Sequence, residues 1–288
     1  MRKLPVFAVV REVYAFLWRE LWTILRLSWF PVLVMTVIQL FAMRAMFDSV
    51  RAVLQSPPAI GDPMSVIPHI PALWEGVNWI VTLAATAMVA VALHRVILFG
   101  DRKEGRYIHF ALGKTELLFI LLPVAVMAAW FAFLAIAVGT AMVAGALSVL
   151  FSLIVGAAFA FIIVRFCIIF PIIVVERRYD FGQAWALTGG NFWRLVGAWI
   201  VAFIPLAIAF WILALVFLPA LLPMLVPPGA AGPADFLERV WYPMMVRMAV
   251  VNFPASILAG AIGVGLLSYS YKALSGRAPD EILTPATA

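Results

Sequence analysis

Apolar positions in this chain run together instead of alternating. From Leu117 to Val164 there is no Asp, Glu, Lys, Arg or His. One α-helical crossing of a bilayer uses about 20 apolar residues, so this stretch alone predicts two crossings. Read the same way, the chain predicts six spans, near 27–46, 77–99, 117–142, 146–175, 195–225 and 246–271. The fold class is therefore an all-α integral membrane protein, expected to be a single transmembrane helical bundle over residues 1–274. Residues 275–288 are small, polar and proline-containing, and are expected to form a disordered cytoplasmic tail.

Ahead of the first span the pattern changes to helical amphipathicity. Arg11, Glu12, Arg19 and Arg26 fall on one arc of a helix and Val6, Val10, Val13 and Leu17 on the opposite one. Residues 5–26 are thus predicted as a helix lying in the membrane interface. Between the first two spans, Pro57, Pro58, Pro63, Pro68 and Pro71 exclude a long regular helix. Pro205, Pro219 and Pro223 predict a kink or an early end in the fifth span.

Basic residues set the expected orientation. With the N-terminus inside, the inner face collects Arg2, Lys3, Arg11, Arg19, Arg26, Arg95, Arg102, Lys103, Arg106, Lys114, Arg177, Arg178, Arg194, Lys272 and Arg277. The outer face has Arg44, Arg51, Arg239 and Arg247, and Arg165 lies inside a span. Both termini are expected in the cytoplasm. After Met1-Arg2-Lys3 the apolar run stops at Val10, short of a signal-peptide core.

Composition agrees with the pattern. Hydrophobic residues make up 66% of the 288 and charged ones 12%, against about 25% charged in soluble domains. The net charge of +6 lies beside apolar spans, which points to anionic lipid headgroups and not to nucleic acid. The single cysteine, Cys167, excludes an intramolecular disulfide and a cysteine-rich metal site.

A repeat is visible in the inner segments. Asp101-Arg102-Lys103 aligns with Glu176-Arg177-Arg178, and nine residues after each acid stand Phe110-Ala111-Leu112 and Trp185-Ala186-Leu187. Five residues beyond each alanine come Glu116 and Asn191, and Tyr14-Ala15-Phe16 followed by Glu20 repeats the spacing. The reading is three units, each an interfacial helix feeding a transmembrane hairpin. Gly113 and Gly189-Gly190 are expected to end two of the short helices, with Thr115 and Asn191 capping the spans that follow.

Motifs for chemistry are missing from the sequence. There is no His-Glu-x-x-His zinc helix, no Gly-x-Ser-x-Gly elbow and no phosphate-binding loop. Gly260-x-x-Gly263-x-Gly265 lies in a span and reads as helix packing. The carboxylates all fall outside the apolar stretches or at their ends, which argues against paired-carboxylate catalysis and proton coupling. No cofactor and no metal are expected. His69 and His109 read as solvated, and His94, beside Arg95, reads as an interfacial histidine.

Arg165 is the exception. A central arginine costs about 2.5–3.5 kcal/mol on insertion scales, and Glu176 is eleven residues away, about 16 Å of helix. Either it snorkels inward past Pro171 or it grips a lipid phosphate or carbonyls. Arg165, Arg95, Arg102, Lys103, Arg177 and Arg178 are the candidate headgroup contacts. Trp185, Asn191, Trp193 and Arg194 form an inner-face motif.

That motif, Trp185-Ala186-Leu187-Thr188-Gly189-Gly190-Asn191-Phe192-Trp193-Arg194-Leu195, resembles the inner-loop signature of the YciC-like bacterial membrane proteins. It is also similar to the membrane domain of certain glycerophosphodiester phosphodiesterases. The resemblance implies a bacterial inner membrane and six spans, with no established activity. His94-Arg95 is followed by Val96, not by the glycine of that enzyme's His-Arg-Gly motif, so no catalytic residue carries over. The expected function is a non-enzymatic inner-membrane protein that organises lipids or partner proteins. The alternative is a transporter or permease subunit for a small or amphipathic solute, with Pro171, Pro205, Pro254, Asn252 and Ser256 along its path.

Overall fold

A computed structural model describes residues 2–55, 72–102, 110–144, 146–225 and 233–276. Among these residues every regular element is helical: α1 (Val6–Arg19), α2 (Leu21–Gln55), α3 (Ala72–Phe99), α4 (Lys114–Ala144), α5 (Ala146–Phe166), α6 (Ile169–Glu176), α7 (Phe181–Thr188), α8 (Phe192–Leu225), α9 (Pro233–Phe236), a π-helical turn (Leu237–Trp241) and α10 (Tyr242–Ser275). Six stretches are long and apolar enough to cross a membrane: Leu21–Gln55, Leu73–Phe99, Lys114–Thr140, Val149–Glu176, Phe192–Leu213 and Leu237–Ser275. The protein is a polytopic α-helical membrane protein.

Several boundaries move from their expected places. The amphipathic segment is helical only to Arg19; after a one-residue break at Glu20, residues 21–26 already belong to α2. Val9, Val10, Val13, Phe16 and Leu17 are the buried face of α1. The helix α2 continues past residue 46 to Gln55 because its charged end is paired, Arg44 with Asp48 at 3.0 Å and Arg51 with Glu238 at 2.6 Å. The fourth span is not one helix. It breaks at Cys167–Ile168 into α5 and α6, since Pro171 has no N–H to give the Cys167 carbonyl and its ring crowds that group. The fifth is helical throughout 192–225 despite its prolines.

The chain groups into two compact units. One contains α1, α4 to α7, the first residues of α2, the second half of α3, the start of α8 and the end of α10. Its core includes Leu93, Ile168, Ile169, Ile172, Ile173, Leu195, Leu266 and Tyr271, each with under 2% of its surface exposed. Here Gly265 admits Val13 of α1, whose methyl lies 3.3 Å from where a β-carbon would stand. In contrast, α4 buries 6% of its apolar window, as suits a helix surrounded by acyl chains. The other unit contains the rest of α2 and α3, the end of α8, α9, the π-helical turn and the first part of α10. There Phe41 stacks on Trp74, and Phe47 meets Tyr242 edge-on.

Of the three aligned segments, the first and third hold a short helix before the span. In the second, Phe110 to Gly113 has no helix and residues 103–109 lie outside the described ones. The tail beyond Gly276 also lies outside them.

Candidate functional site

The segment from Trp185 to Arg194 ties three parts of the first unit together. Its helix α7 starts on Asp180, whose carboxylate accepts the Gln183 N–H at 2.8 Å. It ends where the Thr188 hydroxyl turns back to the Ala184 carbonyl at 2.8 Å. The same hydroxyl lies 2.9 Å from the Arg165 carbonyl at the end of α5. Gly190 then takes φ +67°, a conformation that costs a side-chain-bearing residue far more than glycine. This reversal, which Gly189 does not share, delivers Asn191 to the start of α8.

Asn191 stands at the cap position of α8, but its side chain caps nothing there. Its Oδ1 accepts the N–H of Leu4 at 2.9 Å, and its Nδ2 donates to the carbonyl of Arg2 at 2.9 Å. An amide presents a donor and an acceptor side by side, which matches the C=O and N–H of two residues in extended backbone. Pro5 favours that extended conformation at Leu4. Arg194 completes the grip, its guanidinium donating to the Leu4 carbonyl at 3.1 Å. Leu4 and Asn191 are 0% and 1% exposed. Trp193, by contrast, stands out from the surface.

Arg165 lies against this latch. Its guanidinium is 3.9 Å over the Trp185 ring, and the residue is 7% exposed. Its Nε has no hydrogen-bond partner, and among the described residues no carboxylate pairs with it. The other candidate cations have partners or lie in the open. Arg95 is 3.3 Å from Asp101, near enough for an ion pair though not aligned as a hydrogen bond. Arg102 donates twice to Glu20, at 3.0 and 2.6 Å, while its carbonyl accepts from Arg26 at 2.6 Å. Arg178 bridges Glu176 and Asp180 at 3.3 and 3.7 Å. Arg177 is exposed with φ +53°, and Lys103 lies outside the described residues.

At the positions aligned with Asn191, two glutamates do different work. The Glu116 carboxylate accepts the Gly113 N–H at 3.0 Å and so caps α4, the task expected of Thr115. Glu20 holds Arg102 and accepts the Thr23 hydroxyl at 2.9 Å. Burial pushes the Glu20 carboxyl up, but the Arg102 and Thr23 hydrogen bonds outweigh it and hold the group below the usual carboxylate range. A carboxyl lowered in this way stabilises the fold above its unfolded-state value and loses that contribution on acidification.

The sequence reading missed one buried pair. His94 is enclosed within the protein: it is 1% exposed, its Nδ1 2.6 Å from the hydroxyl of Ser268, itself 0% exposed. The contact unites the types of a base and a nucleophile, but that enclosure leaves neither atom open to a substrate. Its signal in the sequence was a serine among the glycines of the last span. No protein-family model, no curated protein and no solved structure matches this chain.

Proposed function

We propose that this protein is a non-enzymatic component of a bacterial inner membrane, with both termini cytoplasmic, that organises anionic lipids or partner proteins at its inner face. The observation that carries the reading is Arg165, a cation enclosed at the end of α5 on the Trp185 ring and, among the described residues, without a carboxylate. An enclosed charge is costly unless a counter-charge compensates it, and a guanidinium's planar fork suits a phosphate. Arg177, in the open beside the break between α6 and α7, adds positive charge for the same headgroups. The likeness of the Trp185–Leu195 run to the YciC-like proteins supports the same assignment.

The test uses vesicles of phosphatidylethanolamine and phosphatidylglycerol. Wild-type protein extracted from them should retain phosphatidylglycerol in native mass spectra. Arg165→Lys and Arg165→Leu should both lose most of it, because an ammonium lacks the fork. Equal lipid retention in all three proteins, whatever their melting temperatures, would leave Arg165 a snorkelling side chain and remove the reading.

Orientation has its own check. In intact cells, with Cys167 replaced by alanine, Arg178→Cys should resist a membrane-impermeant maleimide and react after permeabilisation. Reaction in intact cells would place that loop outside and overturn the cytoplasmic assignment.

A further inference from the structure

The second unit contains a cavity of about 310 Å³ between α2 and α10, with Phe210 of α8 also among its lining residues. Four polar side chains line it: Thr36, Gln39, Asn252 and Ser256. Two of them are satisfied within their own helices, Thr36 by the Val32 carbonyl at 2.8 Å and Ser256 by that of Phe253 at 2.9 Å. The two amides are not. Among the described residues neither Gln39 nor Asn252 has a hydrogen-bond partner, and both are exposed to the space beside them.

Their depth makes this expensive. Gln39 lies five residues inward from Arg44, and Asn252 five residues inward from Arg247. Each is thus about 7.5 Å of helix from the nearest charge of its own helix, and apart from Thr36 and Ser256 the other lining residues are apolar. A primary amide in an apolar medium without a partner costs several kcal/mol. Something that donates or accepts hydrogen bonds belongs between them.

The walls define what it is. Met35, Met43, Met245 and Met248 surround the amides, and methionine adapts its shape to an irregular apolar guest. No charged residue is among the lining residues, and Arg44, one position beyond Met43, is neutralised by Asp48 and stacked on Tyr242 at 4.9 Å. An anionic or cationic head would enter without a counter-ion, whereas a hydroxyl or carbonyl is met by an amide's donor and acceptor. At about 30 Å³ per water-sized group, the space takes about ten non-hydrogen atoms. That is a small head and its first carbons, and not a whole phospholipid.

We infer that the cavity between Gln39 and Asn252 binds the uncharged head of a single-chain or prenyl lipid, a hydroxyl or carbonyl held by the two amides, with its chain leaving through the methionines into the bilayer. This site is independent of the Arg165 reading: it lies in the other unit and selects the opposite chemistry.

The probe is a dodecanol bearing a diazirine near its hydroxyl end, photolysed with the protein in phosphatidylcholine vesicles, with adducts mapped by mass spectrometry. Adducts should concentrate in residues 35–43 and 245–256. The paired substitutions Gln39→Leu and Asn252→Leu should cut them at least fivefold. Ala249→Phe, which fills the cavity while keeping both amides, should do the same and decides the matter if the paired variant does not fold. The matching diazirine carboxylic acid at pH 8 should label these segments at least fivefold less than the alcohol. Adducts spread evenly over the apolar helices, labelling that survives both variants, or equal labelling by acid and alcohol would overturn the inference. So would a halving of the particle mass in the leucine variant, since the amides would then join two copies of the chain.

Discussion

Replacing Asn191 with alanine is expected to lower the melting temperature of the detergent-solubilised protein by about 5 °C or more, the largest loss from any single side chain of the Trp185–Arg194 segment. The change removes both amide contacts to the N-terminal segment. It leaves the Leu4 N–H buried without a partner, which costs about 1–3 kcal/mol by itself. The Arg194 contact to the Leu4 carbonyl then remains, and the buried Leu4 side chain is held less firmly. If the loss arises from the latch, deleting residues 2–4 should reproduce most of it, and Asn191→Ala added to the deletion should cost far less than it does alone. Additive losses from the two changes would mean that Asn191 acts within the turn, through its 3.2 Å contact to the Gly189 carbonyl, and that no latch exists.

The helices themselves were legible because lipid solvation is read from local sequence. A charge-free run must be surrounded by acyl chains or by other apolar helices, and each backbone group in it must be satisfied within the helix. The six spans follow from that alone. Their ends do not, since hydropathy falls wherever a charge appears. Arg44 and Arg51 lower it on α2, yet Asp48 and Glu238 answer those charges and the helix continues to Gln55. Glu238 is 187 positions from Arg51, and no local pattern connects them.

The same distance separates what was legible in the site from what was not. The Trp185–Arg194 run was conspicuous, and Gly190 ended its short helix as a glycine of positive φ should. The use of Asn191 was misread as a cap because the rule for capping is local, while its partners Arg2 and Leu4 are almost two hundred residues away. Arg165 could be singled out by its cost, but Trp185 as the surface beneath it required the fold. The aligned positions Glu20, Glu116 and Asn191 carry polar side chains with three different partners. Similarity of spacing therefore did not convey what each one holds.

His94 shows how neighbouring residues in a helix lead to opposite environments, and it sets the second large effect. Successive side chains point about 100° apart, so Arg95 reaches Asp101 at the surface while His94 turns into the core against Ser268 and the Phe119 ring. Whichever ring nitrogen carries the proton, the pair shares one hydrogen bond at 2.6 Å between two enclosed groups. Ser268→Ala removes one partner and leaves an imidazole nitrogen unsatisfied, a loss of about 1–3 kcal/mol. His94→Leu strands the hydroxyl in the same way, though a serine can turn to its own helix's carbonyls and recover part of the loss. Removing both should be milder than the sum, because no buried polar group is then left without a partner. Thermal unfolding of the two single variants and the double in one detergent closes the cycle. The expected result is a coupling of about 1 kcal/mol or more, with Ser268→Ala the more harmful single change relative to the atoms it removes. A coupling near zero, with Ser268→Ala melting like wild type, would show that water or another group already serves His94 and that the pair contributes nothing to holding α3 against α10.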